Sequence, residues 1–213
     1  MPDVPNNDQQ PTAVDQALRD KFFALLEEAC EKELETTITN RFPWQTEMAT
    51  VRLLGYAKKL ATQKIGEEVK VRILSGTAPD GFYGKTDVVN GLQECVDSGC
   101  SVEVLVWNNF EHRISPSLAD LAEKNPGKLT VRLSGTRENG REIPHFLLVQ
   151  NRVQKEEDQK NAFRFELSHD YFDGVTFTDD QPQTKASICF NDRGTGKSLA
   201  SFFDSLWAAV PTQ

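Results

Sequence analysis

The chain has 213 residues, 38% of them hydrophobic, and a formal net charge of −8. That length and apolar content are enough for one domain of ordinary size, with or without a helical extension. The acidity disfavours a broad grip on nucleic acid, which needs clustered Lys and Arg. No apolar run approaches the roughly 20 residues that span a bilayer. The start is rich in Pro, Asn and Gln, with no apolar signal segment. The four Cys (Cys30, Cys95, Cys100, Cys189) form no disulfide framework. These features predict a reduced, cytoplasmic protein that does not enter the membrane.

Residues 1–11 carry Pro2, Pro5 and Pro11 and read as a disordered tail. A helix is expected from Thr12, a capping hydroxyl with Asp15 three residues on. Val14, Leu18, Phe22, Leu25 and Ala29 recur at three- and four-residue steps and predict one apolar face. Asp20, Glu27, Glu28 and Glu31 on the other side read as a solvated face. Pro43 and Trp44 mark a break. A second helix is expected over 46–63, with Met48, Val51, Leu54 and Leu60 toward a core. Its Lys58, Lys59 and Lys64 form a small basic patch. That patch is a candidate binding surface, against the plainer reading of a solvated helix face. Residues 12–66 together read as an N-terminal helical extension.

The pattern changes in residues 67–213, which read as one α/β domain. Val69-Lys70-Val71-Arg72-Ile73-Leu74 alternates apolar and charged residues, as a strand does. A helix is expected from Thr86 to Asp97, stopped at Ser98-Gly99, and a strand from Val102 to Trp107. Ser115-Pro116 begins the next helix, with a hydroxyl at the cap and Pro in the first position. Asn125-Pro126-Gly127 stops it before a strand from Leu129 to Leu133. The order strand, helix, strand, helix, strand predicts a mixed, mostly parallel sheet flanked by helices. Strands are then expected over 143–150 and 162–167, joined by a polar hairpin turn. A last strand is expected over 185–190, and a terminal helix from Lys197 to Ala209 that packs through Leu199, Phe202, Phe203, Leu206 and Trp207.

Gly194-Thr195-Gly196-Lys197-Ser198 lies between a strand and a helix, as a phosphate-cradling loop does. The first glycine of that motif is replaced by Asn191, so a Gly-rich turn is the better reading. His112, His145 and His169 are far apart and none is at ligand spacing from Cys or a carboxylate, so no metal site is expected. Cys95 and Cys100 flank a helix stop and read as packing thiols. No Ser sits on a recognisable nucleophile elbow. His145 is the candidate catalytic residue, because it stands on an apolar strand just after the parallel unit. The plainer reading is a half-buried strand histidine. His169-Asp170 is a further imidazole and carboxylate, or simply a turn.

Pro144-His145-Phe146-Leu147-Leu148-Val149 resembles the strand that bears the His-x-Lys-x4-Asp motif of the phospholipase D-like superfamily. Ile188-Cys189-Phe190-Asn191-Asp192 and Ser201-Phe202-Phe203-Asp204-Ser205-Leu206-Trp207 resemble that family's closing strand and terminal helix. From Val69 to Trp207 the chain is similar to one half of such an enzyme. The resemblance implies His145 as the nucleophile on phosphorus, a Lys that holds the phosphoryl oxygens, a supporting Asp, and a second His as general acid. The Lys position is Leu147 and the Asp position is Arg152. The Gly-Ser that follows in the family is replaced by the turn Lys155-Glu156-Glu157-Asp158. Losing one charge-stabilising donor typically costs about 3–4 kcal/mol of transition-state stabilisation. With one half present, a composite site needs two subunits on a two-fold axis.

Three functions compete at this point. One is a catalytically degenerate domain serving as a binding or assembly module, as a homodimer or with a partner protein, and without a cofactor. Another is a metal-independent phosphodiesterase or nuclease using His145 in a homodimeric site. The last is non-catalytic nucleic-acid binding through Lys58, Lys59, Lys64, Lys70 and Arg72. The degenerate motif favours the first.

Overall fold

A computed structural model describes residues 13–40, 42–76, 78–107, 114–134, 145–155, 158–166 and 186–210. The strands are β1 (Thr37–Asn40), β2 (Glu68–Ser75), β3 (Ser101–Val106), β4 (Leu129–Leu133), β5 (His145–Arg152), β6 (Asn161–Glu166) and β7 (Ala186–Phe190). The helices are α1 (Ala13–Lys32), α2 (Pro43–Thr62), α3 (Asp80–Tyr83), α4 (Thr86–Asp97), α5 (Pro116–Lys124) and α6 (Arg193–Ala209). The seven strands form one mixed sheet in the order β1-β7-β6-β5-β2-β3-β4. β2, β3 and β4 are parallel, and every other neighbouring pair is antiparallel. This is the mixed, helix-flanked sheet that the alternating pattern predicts, but it is not mostly parallel: four of its six neighbouring pairs are antiparallel, because β5 turns back into β6 through a short hairpin, which only antiparallel strands allow.

Two apolar layers hold the sheet. Val71, Ile73, Val102, Val104, Leu147, Val149, Ala162, Ile188 and Phe190 pack on one face with Leu53, Leu54 and Leu60 of α2 and Leu92 of α4. Leu74, Leu105, Phe146, Leu148 and Phe163 pack on the other face under Leu199 and Phe203 of α6. Burial on both faces explains why Val104–Trp107 and Phe146–Val149 read as continuous apolar runs. Arg72 is the exception on β2. Its guanidinium is 8% exposed and faces α6. It is held by Glu103 at 3.4 Å, Gln150 at 3.2 Å and Asp204 at 3.2 Å.

The N-terminal region differs from the expected pattern in three ways. β1 was not anticipated, because four residues of Thr, Ile and Asn carry little periodicity on their own; pairing with β7 creates it. Pro43 and Trp44 lie inside α2, which starts three residues before the expected Thr46, with Pro43 in the first position, where a missing N–H costs nothing. In α1 the apolar face is rotated from the one expected. Phe22, Leu26, Ala29 and Cys30 are buried, while Val14, Leu18 and Leu25 are exposed. Trp44 decides that rotation, since Phe22 packs edge-on against it at 5.6 Å and Arg19 lies over its ring at 5.1 Å. α2 buries Ala49, Leu53, Leu54, Tyr56, Ala57 and Leu60, whereas Met48 and Val51 lie at its margin.

Gly99 ends α4 in the left-handed region at φ 93°. It lets Cys100 N–H reach back to Cys95 C=O at 2.9 Å and Gly99 N–H to Val96 C=O at 3.0 Å, so the chain turns directly into β3. All four thiols are free and buried. No helix among the described residues is long and apolar enough to cross a membrane.

Candidate functional site

His145 is the first residue of β5, and its cross-strand partner is Glu166, the last residue of β6. Glu166 in turn pairs with Ala186 at the start of β7, and Ala186 with Asn40 at the end of β1. Ser75 lies one step beyond the Leu74–Phe146 pair and so comes level with His145. Cross-strand partners share a face. Ser75, His145, Glu166 and Asn40 therefore form a row along one rim of the sheet, at the carboxyl end of β2, on the face that α2 covers. In open α/β sheets this end of the parallel strands is where ligands bind. The next row inward is Ile73, Leu147, Arg164 and Ile188.

Arg164 organises the rim. It is 7% exposed. Its Nε donates to Asn40 Oδ1 at 3.2 Å, and its Nη2 donates to Thr46 Oγ1 at 3.1 Å and to Glu166 Oε2 at 2.6 Å. Asn40 Nδ2 also donates to Thr46 Oγ1, at 3.0 Å. Thr46 sits in the first turn of α2, which begins at Pro43 and is fixed by Gln45 Oε1 accepting from Phe42 N–H at 3.1 Å. Strand β1, helix α2 and strand β6 are thus tied at one point by hydrogen bonds that leave the guanidinium charged. Glu166 is 1% exposed, and its Oε1 is buried with no hydrogen-bond partner among the described residues.

Two further groups complete the rim. Tyr83 of α3 is buried, and its hydroxyl hydrogen-bonds the Ser75 side chain. Burial pushes that phenol up to about 12, against the opposing pull of the Ser75 bond and of Arg164. His145 is shifted the other way, down to about 4, first by burial and then by the positive charge of Arg164. The imidazole is therefore neutral at pH 7 and a weaker base than usual. Among the described residues no group of three or more His, Cys, Asp or Glu side chains could hold a metal ion.

Except for Leu147, which lies one row inward and opposite Arg164, the other candidates lie apart from this rim. Leu147 is 5% exposed and belongs to the core. Arg152 is at the far end of β5, about 23 Å from His145 at strand rise, with a 71% exposed side chain near Glu67. Lys58 pairs with Glu94 of α4 at 3.0 Å. Lys58, Lys59 and Lys64 are near or beyond the C-terminal end of α2, ~18 Å or more along the axis from Thr46. His112, His169 and Asp170 lie outside the described residues.

The Gly194–Ser198 stretch belongs to α6 itself, which begins at Arg193. Asp192 caps the helix by accepting from Thr195 N–H at 3.0 Å, so the chain's own carboxylate takes the place a phosphate would need. Gly196 meets Asn161, whose Nδ2 would lie 2.5 Å from an added Cβ. Close packing explains that glycine.

Sequence reasoning missed Arg164, Glu166, Asn40, Thr46, Tyr83 and Ser75. A signal existed for two of them. Phe163-Arg164-Phe165-Glu166 alternates perfectly, and such a strand normally turns its charges to water. Here the charges face α2 and are buried.

No protein-family model and no curated protein matches the chain. Among solved structures it is similar to a polyphosphate kinase from Porphyromonas gingivalis, at 14% identity and a TM-score of 0.50, over 93% of this chain and 28% of that one. It is also similar to TrmBL2, described as an archaeal chromatin protein with a novel mode of DNA binding, at 15% identity and a TM-score of 0.47, over 94% of this chain and 63% of that one. NucT from Helicobacter pylori is matched at 11% identity and a TM-score of 0.48, over 84% of this chain and 99% of that one. At such identities the likeness is one of fold. The chain spans less than two thirds of TrmBL2 and under a third of the kinase.

Proposed function

We propose that this chain is a catalytically degenerate phospholipase D-like domain that acts as a binding or assembly module. The observation that carries the reading is the 2.6 Å pair between Arg164 and Glu166 beside His145. A phosphoryl-transfer site needs free positive charge aimed at developing negative charge. Here the position expected to hold that charge is Leu147, buried in the core, and among the described residues the nearby cation, Arg164, is already neutralised by a buried carboxylate. His145 is left as a neutral imidazole of low basicity. The rim keeps polar groups suited to gripping a ligand, without the charge balance that drives displacement at phosphorus.

The test is hydrolysis of bis(4-nitrophenyl) phosphate and of single-stranded DNA in the presence of a chelator, comparing the wild type with His145→Ala. The expected result is no hydrolysis that depends on His145. Turnover lost on His145→Ala would replace this reading with that of a metal-independent phosphodiesterase. Sedimentation of the full chain tests the assembly part, and a strict monomer would remove the homodimer.

A further inference from the structure

We propose that the rim cluster is an oxyanion-binding site whose cation is Arg164, and that the Glu166 carboxylate occupies the oxyanion position in the ligand-free protein. This builds on the reading of the domain as a binding module and adds the ligand's chemistry and a built-in competitor.

Three features of the rim support it. Asn40 and Thr46 hold the guanidinium from two other elements through neutral acceptors, so they position its charge without cancelling it. Glu166 cancels it from the same strand, two residues away, but with one oxygen only. Its second oxygen, Oε1, is buried and meets no donor among the described residues. An unsatisfied buried acceptor is destabilising, and the full strength of a guanidinium–carboxylate pair comes from two parallel hydrogen bonds. The internal carboxylate is thus a poorly matched partner, which a free oxyanion able to meet the guanidinium fork replaces.

The displaced carboxylate has somewhere to go. Its cross-strand partner is His145. On that face the described residues set Arg164 and Glu166 on the adjacent β6 and Ser75 on the adjacent β2, with Tyr83 of α3 bonded to Ser75 and with Asn40 of β1 and Thr46 of α2 bonded to Arg164. Burial and the Arg164 charge keep the imidazole unprotonated. Once an oxyanion neutralises Arg164, His145 takes up one proton from solvent and pairs with Glu166. No covalent bond is made or broken. The proton that the site gains offsets one of the ligand's negative charges.

The test uses sulfate, whose charge is fixed between pH 5 and 8. Binding to the full chain is measured by calorimetry in buffers of different ionisation enthalpy. The wild type is expected to bind weakly, with uptake of about one proton and tighter binding at pH 5.5 than at pH 7.5. Glu166→Gln keeps the shape and removes the competing charge. It is expected to bind about tenfold tighter, corresponding to roughly 1.4 kcal/mol, and to lose the proton uptake. The double variant Arg164→Met/Glu166→Leu replaces both charges by apolar groups of similar size, so it tests binding in a folded protein. It is expected to bind no sulfate. The proposal fails if folded Glu166→Gln binds no tighter than the wild type, or if the double variant binds equally well. Hydrolysis dependent on His145 would overturn the binding-module reading and leave these sulfate results unchanged, so the two failures are distinguishable.

Discussion

Arg164 and Leu147 stand directly opposite each other across the β5–β6 ladder, on the face that α2 covers. The position where the resembled motif carries a cation is apolar, and a cation arrives at the same level of the sheet from the next strand. It comes with a carboxylate attached. This pairing puts the positive charge one strand away and sets a carboxylate on it, the difference on which the proposed binding role rests.

The first consequence concerns stability. Arg164→Met leaves Glu166 buried without a counter-charge, and breaking such a pair from one side costs about 3–5 kcal/mol. The double variant Arg164→Met/Glu166→Leu should recover most of that loss, because no uncompensated charge remains. Urea unfolding of the wild type and both variants checks this. Equal destabilisation of the two variants would mean that the bonds to Asn40 and Thr46, not the ion pair, carry the energy.

Leu147→Lys tests whether the missing motif residue can be put back. The new ammonium would be buried at a 5% exposed position and opposite Arg164, a like charge. The expected result is a loss of several kcal/mol, ~3 or more, and no gain of phosphodiester hydrolysis. A stable, active Leu147→Lys protein would show that the rim accepts the resembled chemistry after all.

His145 predicts a pH dependence with a definite sign. Its folded value of about 4 lies below the ordinary 6.5. Between those two values the unfolded chain binds a proton that the folded chain does not. Stability is therefore fully present above about pH 6.5 and falls as pH drops toward 4, by up to ~3 kcal/mol from this one group. Below pH 4 it contributes no further change. Denaturant midpoints at pH 7, 5.5 and 4.5 should show the wild type losing more stability than His145→Gln across that window. A constant difference between the two proteins would mean that the imidazole titrates normally.

Gly196→Ala probes the start of α6. The added Cβ would come within 2.5 Å of Asn161 Nδ2, and that side chain is fully buried and donates to Asp192 C=O at 3.2 Å. Overpacking of this kind costs about 1–3 kcal/mol. A lowered melting temperature, with no effect on sulfate binding at the distant rim, is the expected outcome.

The sequence by itself determined the elements from β2 to α6 except α3, whose four residues carry no helical periodicity of their own. Each has a local cause: alternation in Val69–Leu74, Ser115-Pro116 at a helix start, Ser98-Gly99 and Asn125-Pro126-Gly127 at helix ends. It also singled out His145 and showed that Leu147 and Arg152 do not match the resembled motif. Tertiary structure decided what the rim contains. Thr37–Asn40 becomes a strand only when β7 supplies its hydrogen bonds, and α1 turns Phe22 rather than Leu18 inward because Trp44 waits there. Arg164 and Glu166 look like the solvated side of an alternating strand until α2 is laid over them. Their burial comes from which helix covers which face, a contact between residues more than a hundred positions apart in the chain. Local periodicity carries the spacing of side chains along a strand. It does not carry which neighbour closes over them, and at this rim that neighbour sets the charge.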